Sequence, residues 1–258
     1  MTSLTGKVAL ITGSARGIGK AIAERYGSCG ASVVVNYARD RERADATVDS
    51  IHRLGGTAIA IQADVSKVGD IERLFAATIE HFGRLDIVVA NAGVELVDRP
   101  VVDVSEADFD RLFGVNTKGA FFTLQNAARH VADNGRIIYV GSSNTAYPLP
   151  GYGLYGGSKI APQFLVQVLA KELGARGIAV NSILPTAIGG AGIFSDEVKS
   201  EFLAFIRSFR PMQRMGTVDD VANAAEYLAS DLADFVSGQH LLVTGGAPAE
   251  PAGIAADA

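Results

Sequence analysis

The chain has 258 residues, of which 48% are hydrophobic and 20% are charged, and its formal net charge is −5. This length suits one large α/β domain or two small ones, and the lack of a basic excess argues against nucleic acid as a partner. No apolar run reaches the ~18 residues that a membrane span needs, and the N-terminal residues lack the pattern of a secretory signal. We therefore expect a cytoplasmic protein with no membrane partner.

The first third of the chain alternates short apolar runs with segments of helical spacing, and glycines separate them. A short apolar run that ends in a turn is typical of a buried parallel strand, whereas apolar residues three or four apart indicate a helix. These patterns predict strands over 7–12, 32–37, 57–61 and 85–90, and helices over 17–29, 39–54 and 68–82.

The same alternation continues to the end of the chain. A long helix is predicted over 105–131, where Ser105 and Asp108 have the spacing of an N-terminal cap. Further strands are predicted over 136–140, 179–183 and 240–243, and further helices over 155–176, 195–209 and 218–229. Such regular alternation predicts right-handed βαβ units. We expect one Rossmann-type domain over 1–258, with a doubly wound parallel sheet of about seven strands, helices on both faces, and a loose tail from about 247.

The turn after the first strand has the composition of a phosphate-binding loop. It reads Thr-Gly-Ser-Ala-Arg-Gly-Ile-Gly over residues 12–19, with a strand before it and a helix after it. Glycines let the backbone approach a pyrophosphate, and the N-terminus of the helix offers unpaired N–H groups to the anion. The predicted cofactor contacts in this turn are Gly13, Ser14, Arg16, Gly17, Ile18 and Gly19.

This glycine spacing resembles the signature of the short-chain dehydrogenase/reductase family, and other motifs resemble that family in the same order. The resemblance covers about residues 5–246 and implies a nicotinamide dinucleotide cofactor and no metal. Ala90 stands where the family usually has the first Asn of Asn-Asn-Ala-Gly. By resemblance, Asp64 binds the adenine ring and Asn116 is a catalytic residue that holds a water in a proton relay. The further cofactor contacts that the family pattern implies are Asp64, Val65, Asn91, Ala92 and Gly93.

Three residues have the arrangement that proton transfer to a carbonyl oxygen requires. Tyr155 and Lys159 are four residues apart on one predicted helix, so their side chains share a face. Ser142 follows the fifth strand, at the edge of the sheet where ligands bind, and it suits the role better than the adjacent Ser143. We expect Tyr155 to act as general acid and base, with its pKa lowered by the Lys159 ammonium. Lys159 would also hold the nicotinamide ribose, and Ser142 would hydrogen-bond the substrate oxygen.

The end of the second strand favours NADP(H) over NAD(H). Positions 36 and 37 carry Asn and Tyr rather than an acidic residue, whereas Arg16 and Arg39 suit a 2′-phosphate. The predicted cofactor contacts here are Asn36, Tyr37 and Arg39. Asp40 leaves NAD(H) open if its carboxylate points inward.

The segment after the sixth strand is expected to hold the nicotinamide and to form a substrate lid over about 186–215. Pro185 and Ile188 fit the family pattern, but Thr186 and Gly190 stand where the family usually has Gly and Thr. Phe194 lies outside the helical stripe of phenylalanines that follows it and is expected to touch substrate. The predicted substrate contacts are Glu95, Asn144, Tyr147, Tyr152 and Phe194.

These observations predict an oxidoreductase that transfers a hydride between NADP(H) and a ketone or secondary alcohol. One alternative is a reductase of 3-oxoacyl thioesters of an acyl carrier protein or coenzyme A, which would need basic residues at the pocket mouth. Another is a non-catalytic dinucleotide-binding regulator, which has no need of Ser142, Tyr155 and Lys159 together. The resemblance also implies a homodimer or homotetramer in which the two long helices pair.

Overall fold

The computed structural model describes residues 2–194 and 200–246 of the chain. The first five positions of the helix predicted over 195–209 and the predicted tail from 247 lie outside the described residues. The strands, in chain order, are β1 (Val8–Ile11), β2 (Ser32–Tyr37), β3 (Thr57–Gln62), β4 (Ile87–Ala90), β5 (Arg136–Val140), β6 (Ala179–Pro185), β7 (Ile188–Gly189), β8 (Gly216–Thr217) and β9 (His240–Val243).

Seven of these strands form one parallel sheet in the order β3-β2-β1-β4-β5-β6-β9. The predicted doubly wound sheet is therefore confirmed. The bounds of β2, β5 and β9 are those predicted, and the other strands of this sheet differ by no more than two residues at either end. The chain leaves β1 toward β2 on one side and returns to β4 on the other, so a crevice opens at the carboxyl ends of β1 and β4.

Helices cover both faces of the sheet. They are α1 (Gly17–Ser28), α2 (Arg41–Arg53), α3 (Val68–Phe82), α4 (Glu106–Leu112), α5 (Ala120–His130), α6 (Gly153–Glu172), α7 (Ser200–Phe209) and α8 (Val218–Ala229). Buried side chains of α1, α2 and α8 pack on one face, and those of α3, α5 and α6 pack on the other. Each strand of the sheet centre is apolar on both sides because both of its faces are covered.

The helix predicted over 105–131 is interrupted. It begins as predicted, since the Ser105 hydroxyl accepts from the Asp108 N–H at 3.1 Å and completes a capping box. Residues Phe113–Gly119 then form a π-helical turn between α4 and α5. A single α-helix was therefore the wrong prediction, and the wider turn lies at a predicted site residue, Asn116, as such turns often do.

Two further predicted bounds differ for local reasons. The helix predicted from residue 39 begins at Arg41 because the Asp40 carboxylate caps it by accepting from the Arg43 N–H at 3.0 Å. The helix predicted over 155–176 starts earlier, at Gly153, and ends at Glu172, and a short 3₁₀ turn over Gly174–Arg176 follows. The pairing of β7 with β8 was not predicted, since two-residue strands leave no periodic signal.

Across residues 2–194 and 200–246, no helix combines the length and the apolar character that crossing a bilayer requires.

Candidate active site

The glycine turn between β1 and α1 leaves its backbone open to an anion. Gly13 and Gly17 have φ angles of +64° and +57°, which other residues rarely adopt. A Cβ on Gly13 would lie 2.9 Å from the Ala92 Cα. Arg16 precedes α1 without a side-chain cap, and no acidic residue occupies the first turn of that helix. The first N–H groups of α1 and its dipole are therefore available to a phosphate, which fits the predicted dinucleotide.

Asn36 and Ser14, both predicted cofactor contacts, hold the turn from inside. Both are buried, and Asn36 Oδ1 accepts from the Gly13 N–H at 3.1 Å while its Nδ2 donates to the Ala63 carbonyl at 3.1 Å. The Ser14 hydroxyl donates to the Ile11 carbonyl at 2.7 Å and accepts from the Asn36 N–H. These bonds assign both side chains a positioning role, and direct contact with a cofactor stays a prediction.

Asn91 joins the loop after β4 to the same turn. Its Nδ2 donates to the carbonyls of Thr12 and Gly13 at 2.9 and 3.1 Å. The Thr12 hydroxyl in turn accepts from the N–H groups of Asn91 and Ala92 at 3.0 and 3.1 Å. A Cβ on Gly19 would lie 2.5 Å from Asn91 Nδ2, so only glycine fits there. Thr12 was not among the predicted contacts, although it begins the glycine motif over residues 12–19 that resembles the family signature.

The far end of the cleft, at β2 and β3, carries the predicted ribose and adenine contacts. Arg16 and Arg39 are exposed there, and Tyr37 is buried at the end of β2. Asp40 is turned to its own helix, since its Oδ2 also lies 3.2 Å from Arg43 Nε. The alternative in which Asp40 points inward is therefore not the conformation observed.

Two other predicted contacts flank this end. Asp64 accepts from the Ser66 hydroxyl at 2.8 Å, and the adjacent Val65 is buried. These bonds order the loop after β3, where resemblance places the adenine ring.

Ser142, Tyr155 and Lys159 come together at the carboxyl edge of the sheet. Their exposed fractions are 6%, 8% and 5%. The Ser142 hydroxyl accepts from the Asn144 N–H at 3.3 Å, and Ser142 acts on Tyr155 by lowering its pKa. Lys159 Nζ donates to the Val140 carbonyl at 3.3 Å and lies 5.9 Å from the centroid of the Tyr155 ring. Ser142 is the serine that influences Tyr155, and the choice of Ser142 over Ser143 as the catalytic serine stays a prediction.

Asn116 lies in the π-helical turn and ties the β4 loop to α6. Its Oδ1 accepts from the Val94 N–H, and its Nδ2 donates to the Val94 carbonyl, both at 2.8 Å. Nδ2 also donates to the Ser158 hydroxyl at 2.9 Å, which itself donates to the Tyr155 carbonyl at 2.7 Å. The amide is thus engaged by protein groups, and the water relay stays a prediction. Ser158 was missed, although a serine three residues after Tyr155 shares its helical face.

Burial governs the protonation of the catalytic pair. It raises the pKa of Tyr155 well above the ordinary value, the Glu95 carboxylate adds to this, and the Ser142 hydrogen bond opposes it. Burial also lowers the pKa of Lys159 to about 8, against a raising effect of Glu95. The lowering of the Tyr155 pKa that was expected from Lys159 is not seen in the polypeptide alone, because desolvation of the phenolate raises that pKa.

The predicted substrate residues differ in exposure, and their contact with substrate stays a prediction. Asn144, Tyr147 and Tyr152 are half-buried, and Glu95 is exposed. Phe194 stacks on Phe202 of α7 with ring centroids 5.0 Å apart. The expectation that Phe194 stands apart from the phenylalanine stripe is therefore wrong, because the chain folds back and adds it to that stripe.

The segment after β6, where resemblance places the nicotinamide, departs from the family pattern at Thr186 and Gly190. Pro185 ends β6, and Ile188 is buried in β7. The Thr186 hydroxyl accepts from Arg210 Nη2 at 3.3 Å, and Arg210 is buried. The side chain that replaces glycine at 186 therefore has a partner of its own.

This fold and cleft define a nicotinamide-dependent oxidoreductase acting on CH–OH groups or ketones. A family model described as enoyl-(acyl carrier protein) reductase matches residues 13–248. The chain belongs to the short-chain dehydrogenase/reductase family.

Similar proteins are named for reactions of the same class. Versicolorin reductase stcU of Emericella nidulans is 44% identical, with 95% of this chain and 96% of that protein covered. The hydroxynaphthalene reductase-like protein Arp2 of Metarhizium acridum is 39% identical, with 95% and 96% covered. The structure of the angucycline C-6 ketoreductase LanV with bound NADP aligns with a TM-score of 0.87 at 35% identity, and covers 95% of this chain and 96% of that one.

Proposed function

We propose that this protein is an NADP(H)-dependent ketone reductase that acts through Ser142, Tyr155 and Lys159. The observation that carries the proposal is the convergence of these three buried side chains at the edge of the sheet beside an open glycine turn. A non-catalytic regulator would bind the dinucleotide without needing a buried phenol, hydroxyl and amine in one place.

The glycine turn would hold the pyrophosphate, and Lys159 would hold the ribose next to the nicotinamide. When bound, the nicotinamide supplies or accepts the hydride. Ser142 would donate a hydrogen bond to the carbonyl oxygen, on which negative charge develops. Tyr155 would then give its proton to that oxygen, because the phenol is protonated at neutral pH. Asn116 and Ser158 would keep α6 in register with the β4 loop during this transfer.

Two arginines support the preference for NADP(H). Arg16 in the glycine turn and Arg39 after β2 are both exposed, whereas the Asp40 carboxylate is engaged by Arg43 and by the N-terminus of α2. An acidic group that would bind the 2′-hydroxyl and repel a 2′-phosphate is thus turned away.

An aromatic polycyclic ketone is the substrate class that we propose. The stacked rings of Phe194 and Phe202 offer an apolar surface, and the Asn144 amide nitrogen lies 3.5 Å from the Ser142 hydroxyl. The names of the similar proteins point to fused aromatic substrates. The exposed Glu95 at the mouth disfavours an acidic acyl carrier, which weakens the thioester alternative.

We also propose a homo-oligomer formed through α4, α5 and α6, and a single catalytic domain with residues 186–215 as its substrate lid. Phe109, Phe121, Ile160 and Phe164 expose between 43% and 67% of their surface on these helices. Large apolar side chains grouped in this way mark protein–protein contact surfaces. Sedimentation at several protein concentrations tests this part of the proposal.

Steady-state reduction of matched substrates tests the function. A hydroxylated polycyclic ketone, a small aliphatic ketone and an acetoacetyl thioester are compared with NADPH and with NADH. We expect the highest kcat/KM with the polycyclic ketone and NADPH. Preference for the thioester would favour the acyl reductase, and NADPH binding without turnover of any carbonyl would favour the regulator.

A further inference from the structure

The loop after β4 and the segment after β7 meet across the cofactor cleft. Glu95 lies on that loop, and its Oε2 accepts a hydrogen bond from the Ile193 N–H at 2.9 Å, although the two residues are 98 positions apart. A bond from a backbone amide to a carboxylate is among the stronger hydrogen bonds in proteins. Glu95 therefore anchors a part of the chain that the sheet itself does not hold.

Gly192 lets the carboxylate come this close. Its φ is +55°, and a Cβ built on it would lie 2.5 Å from Glu95 Oε2 and 2.6 Å from Oε1. Both carboxylate oxygens thus lie against the bare Cα of Gly192, and any other residue would displace them.

The same segment reaches the glycine turn on its other side. A Cβ on Gly17 would lie 3.4 Å from the Ala191 Cβ and 3.6 Å from the Gly190 carbonyl oxygen. The segment is closed on itself, since the Gly190 N–H donates to the Phe194 carbonyl at 2.8 Å and the Phe194 N–H donates to the Ala191 carbonyl at 2.9 Å. Residues 190–194 thus form one compact piece between the phosphate-binding turn and Glu95.

We propose, resting on the cofactor site proposed above, that Glu95 is a positioning residue whose carboxylate holds residues 190–194 across the cleft. The segment then bounds the space for the pyrophosphate and nicotinamide and limits how the dinucleotide lies against Tyr155. The Glu95 carboxylate also acts on the proposed catalytic residues, since its charge raises the pKa of both Tyr155 and Lys159. Hydrogen bond and charge are separable, because Glu95→Gln keeps an acceptor and removes the charge, whereas Glu95→Ala removes both.

Hydrogen exchange of the full chain without cofactor tests the anchoring directly. We expect peptides that cover 188–194 to exchange about tenfold faster in Glu95→Ala, and less than that in Glu95→Gln. The dissociation constant of NADPH, followed by its fluorescence, should rise by about fivefold to tenfold in Glu95→Ala. Glu72→Ala, which changes an exposed glutamate on α3, is the matched control and should leave both measurements unchanged.

Gly192→Ala supplies an independent test through the same contact. The added methyl should weaken NADPH binding, and the loss should be smaller in the Glu95→Ala background, because the carboxylate that it would strike is gone. Unchanged exchange over 188–194 in Glu95→Ala, or equal losses in both backgrounds, would overturn the proposal. Faster exchange in a protein that reduces no ketone would keep the anchor and reject the proposed function, so the two failures are distinguishable.

Discussion

Two proposed sites lie side by side at the same edge of the sheet. The cofactor cradle is the glycine turn over 12–19 with Asn36 and Asn91, and the catalytic group is Ser142, Tyr155 and Lys159. Different interactions determine the properties of the two sites. The cradle consists of backbone amides and neutral side chains, and Thr12, Asn36 and Asn91 have their polar atoms paired within the protein. The catalytic group instead buries two titratable side chains, and burial disfavours the charged form of both Tyr155 and Lys159.

This difference separates binding from catalysis. A cradle whose hydrogen bonds are already satisfied is preorganised, so little reorganisation opposes dinucleotide binding. The charge states at Tyr155 and Lys159, in contrast, depend on which charges enter the cleft, because few protein charges lie near enough to set them. Oxidised nicotinamide carries a positive charge, and its arrival should favour the phenolate that alcohol oxidation requires.

The sharpest way to break this comparison is Tyr155→Phe. The ring still fills its site, but the proton donor is gone, so kcat for ketone reduction should fall by about 10³-fold. Because the cradle is separate, the dissociation constant of NADPH should stay within about twofold. Stopped-flow turnover and fluorescence titration measure the two quantities, and a variant that keeps a tenth of the activity would rule out the phenol as the acid.

The converse change is Gly19→Ala in the cradle. Its Cβ would lie 2.5 Å from both Asn91 Nδ2 and the Gly13 carbonyl oxygen, so the turn must distort. We expect NADPH affinity to fall on the order of a hundredfold. Gly69→Ala on α3 is the control, since its nearest neighbour would be the end of the Arg73 side chain at 3.8 Å. Equal affinities in the two variants would show that the turn tolerates a side chain.

Lys159→Met tests the burial of the catalytic amine through stability. The pKa of Lys159 is about 8 in the folded chain against an ordinary 10.5, so the unfolded chain binds more protons between these values. The contribution of Lys159 to the free energy of unfolding therefore becomes more favourable as the pH rises across that window. Below pH 8 the amine is charged in both states, and its desolvation destabilises the fold in full. The methionine variant should be more stable at pH 7 by about 3 kcal/mol, and this advantage should shrink toward pH 10.5.

Urea unfolding at pH 7, 9 and 10.5 measures that difference. Lys171→Met, an exposed lysine near the end of the same helix, is the control and should show no comparable gain. A Lys159→Met variant less stable than wild type at pH 7 would mean that the bond to the Val140 carbonyl and the contacts with the Tyr139 and Tyr155 rings outweigh desolvation.

The smallest expected effect is a change in cofactor preference at the β2 end of the cofactor cradle, where the positive charge of Arg39 would bind the 2′-phosphate. Arg39→Ala should lower kcat/KM for NADPH by about tenfold and leave that for NADH unchanged, because only the former carries a 2′-phosphate. Arg53→Ala, at the far end of α2, is the control. Parallel losses with both cofactors would show that Arg39 does not read the phosphate.

The parts of the fold that rest on local pattern were predictable. Strand β5 and helix α3 have the predicted bounds, because a buried apolar run and an amphipathic period are written in consecutive residues. Tyr155 and Lys159 could also be predicted from local sequence, because they are one helical turn apart.

The unpredicted parts depend on contacts between distant residues. Asn36 was predicted as a cofactor contact because it lies near the end of β2, but its partner is the Gly13 N–H, which only the folded sheet brings near. Phe194 appeared isolated until the chain folded back on Phe202. The raised pKa of Tyr155 is likewise a property of burial, and sequence spacing shows a neighbouring amine but not how much water remains around the phenol.

The π-helical turn Phe113–Gly119 holds about one residue more than an α-helix needs for the same rotation. Deleting one position within it would restore regular winding and leave α5 close to its present orientation, so Leu124 and Ala127 would stay buried against the sheet. The same deletion in a regular α-helix would rotate everything downstream by about 100°. Divergent copies of this gene should therefore tolerate a one-residue gap in this turn more readily than within α3 or α8, although such a gap would displace Asn116.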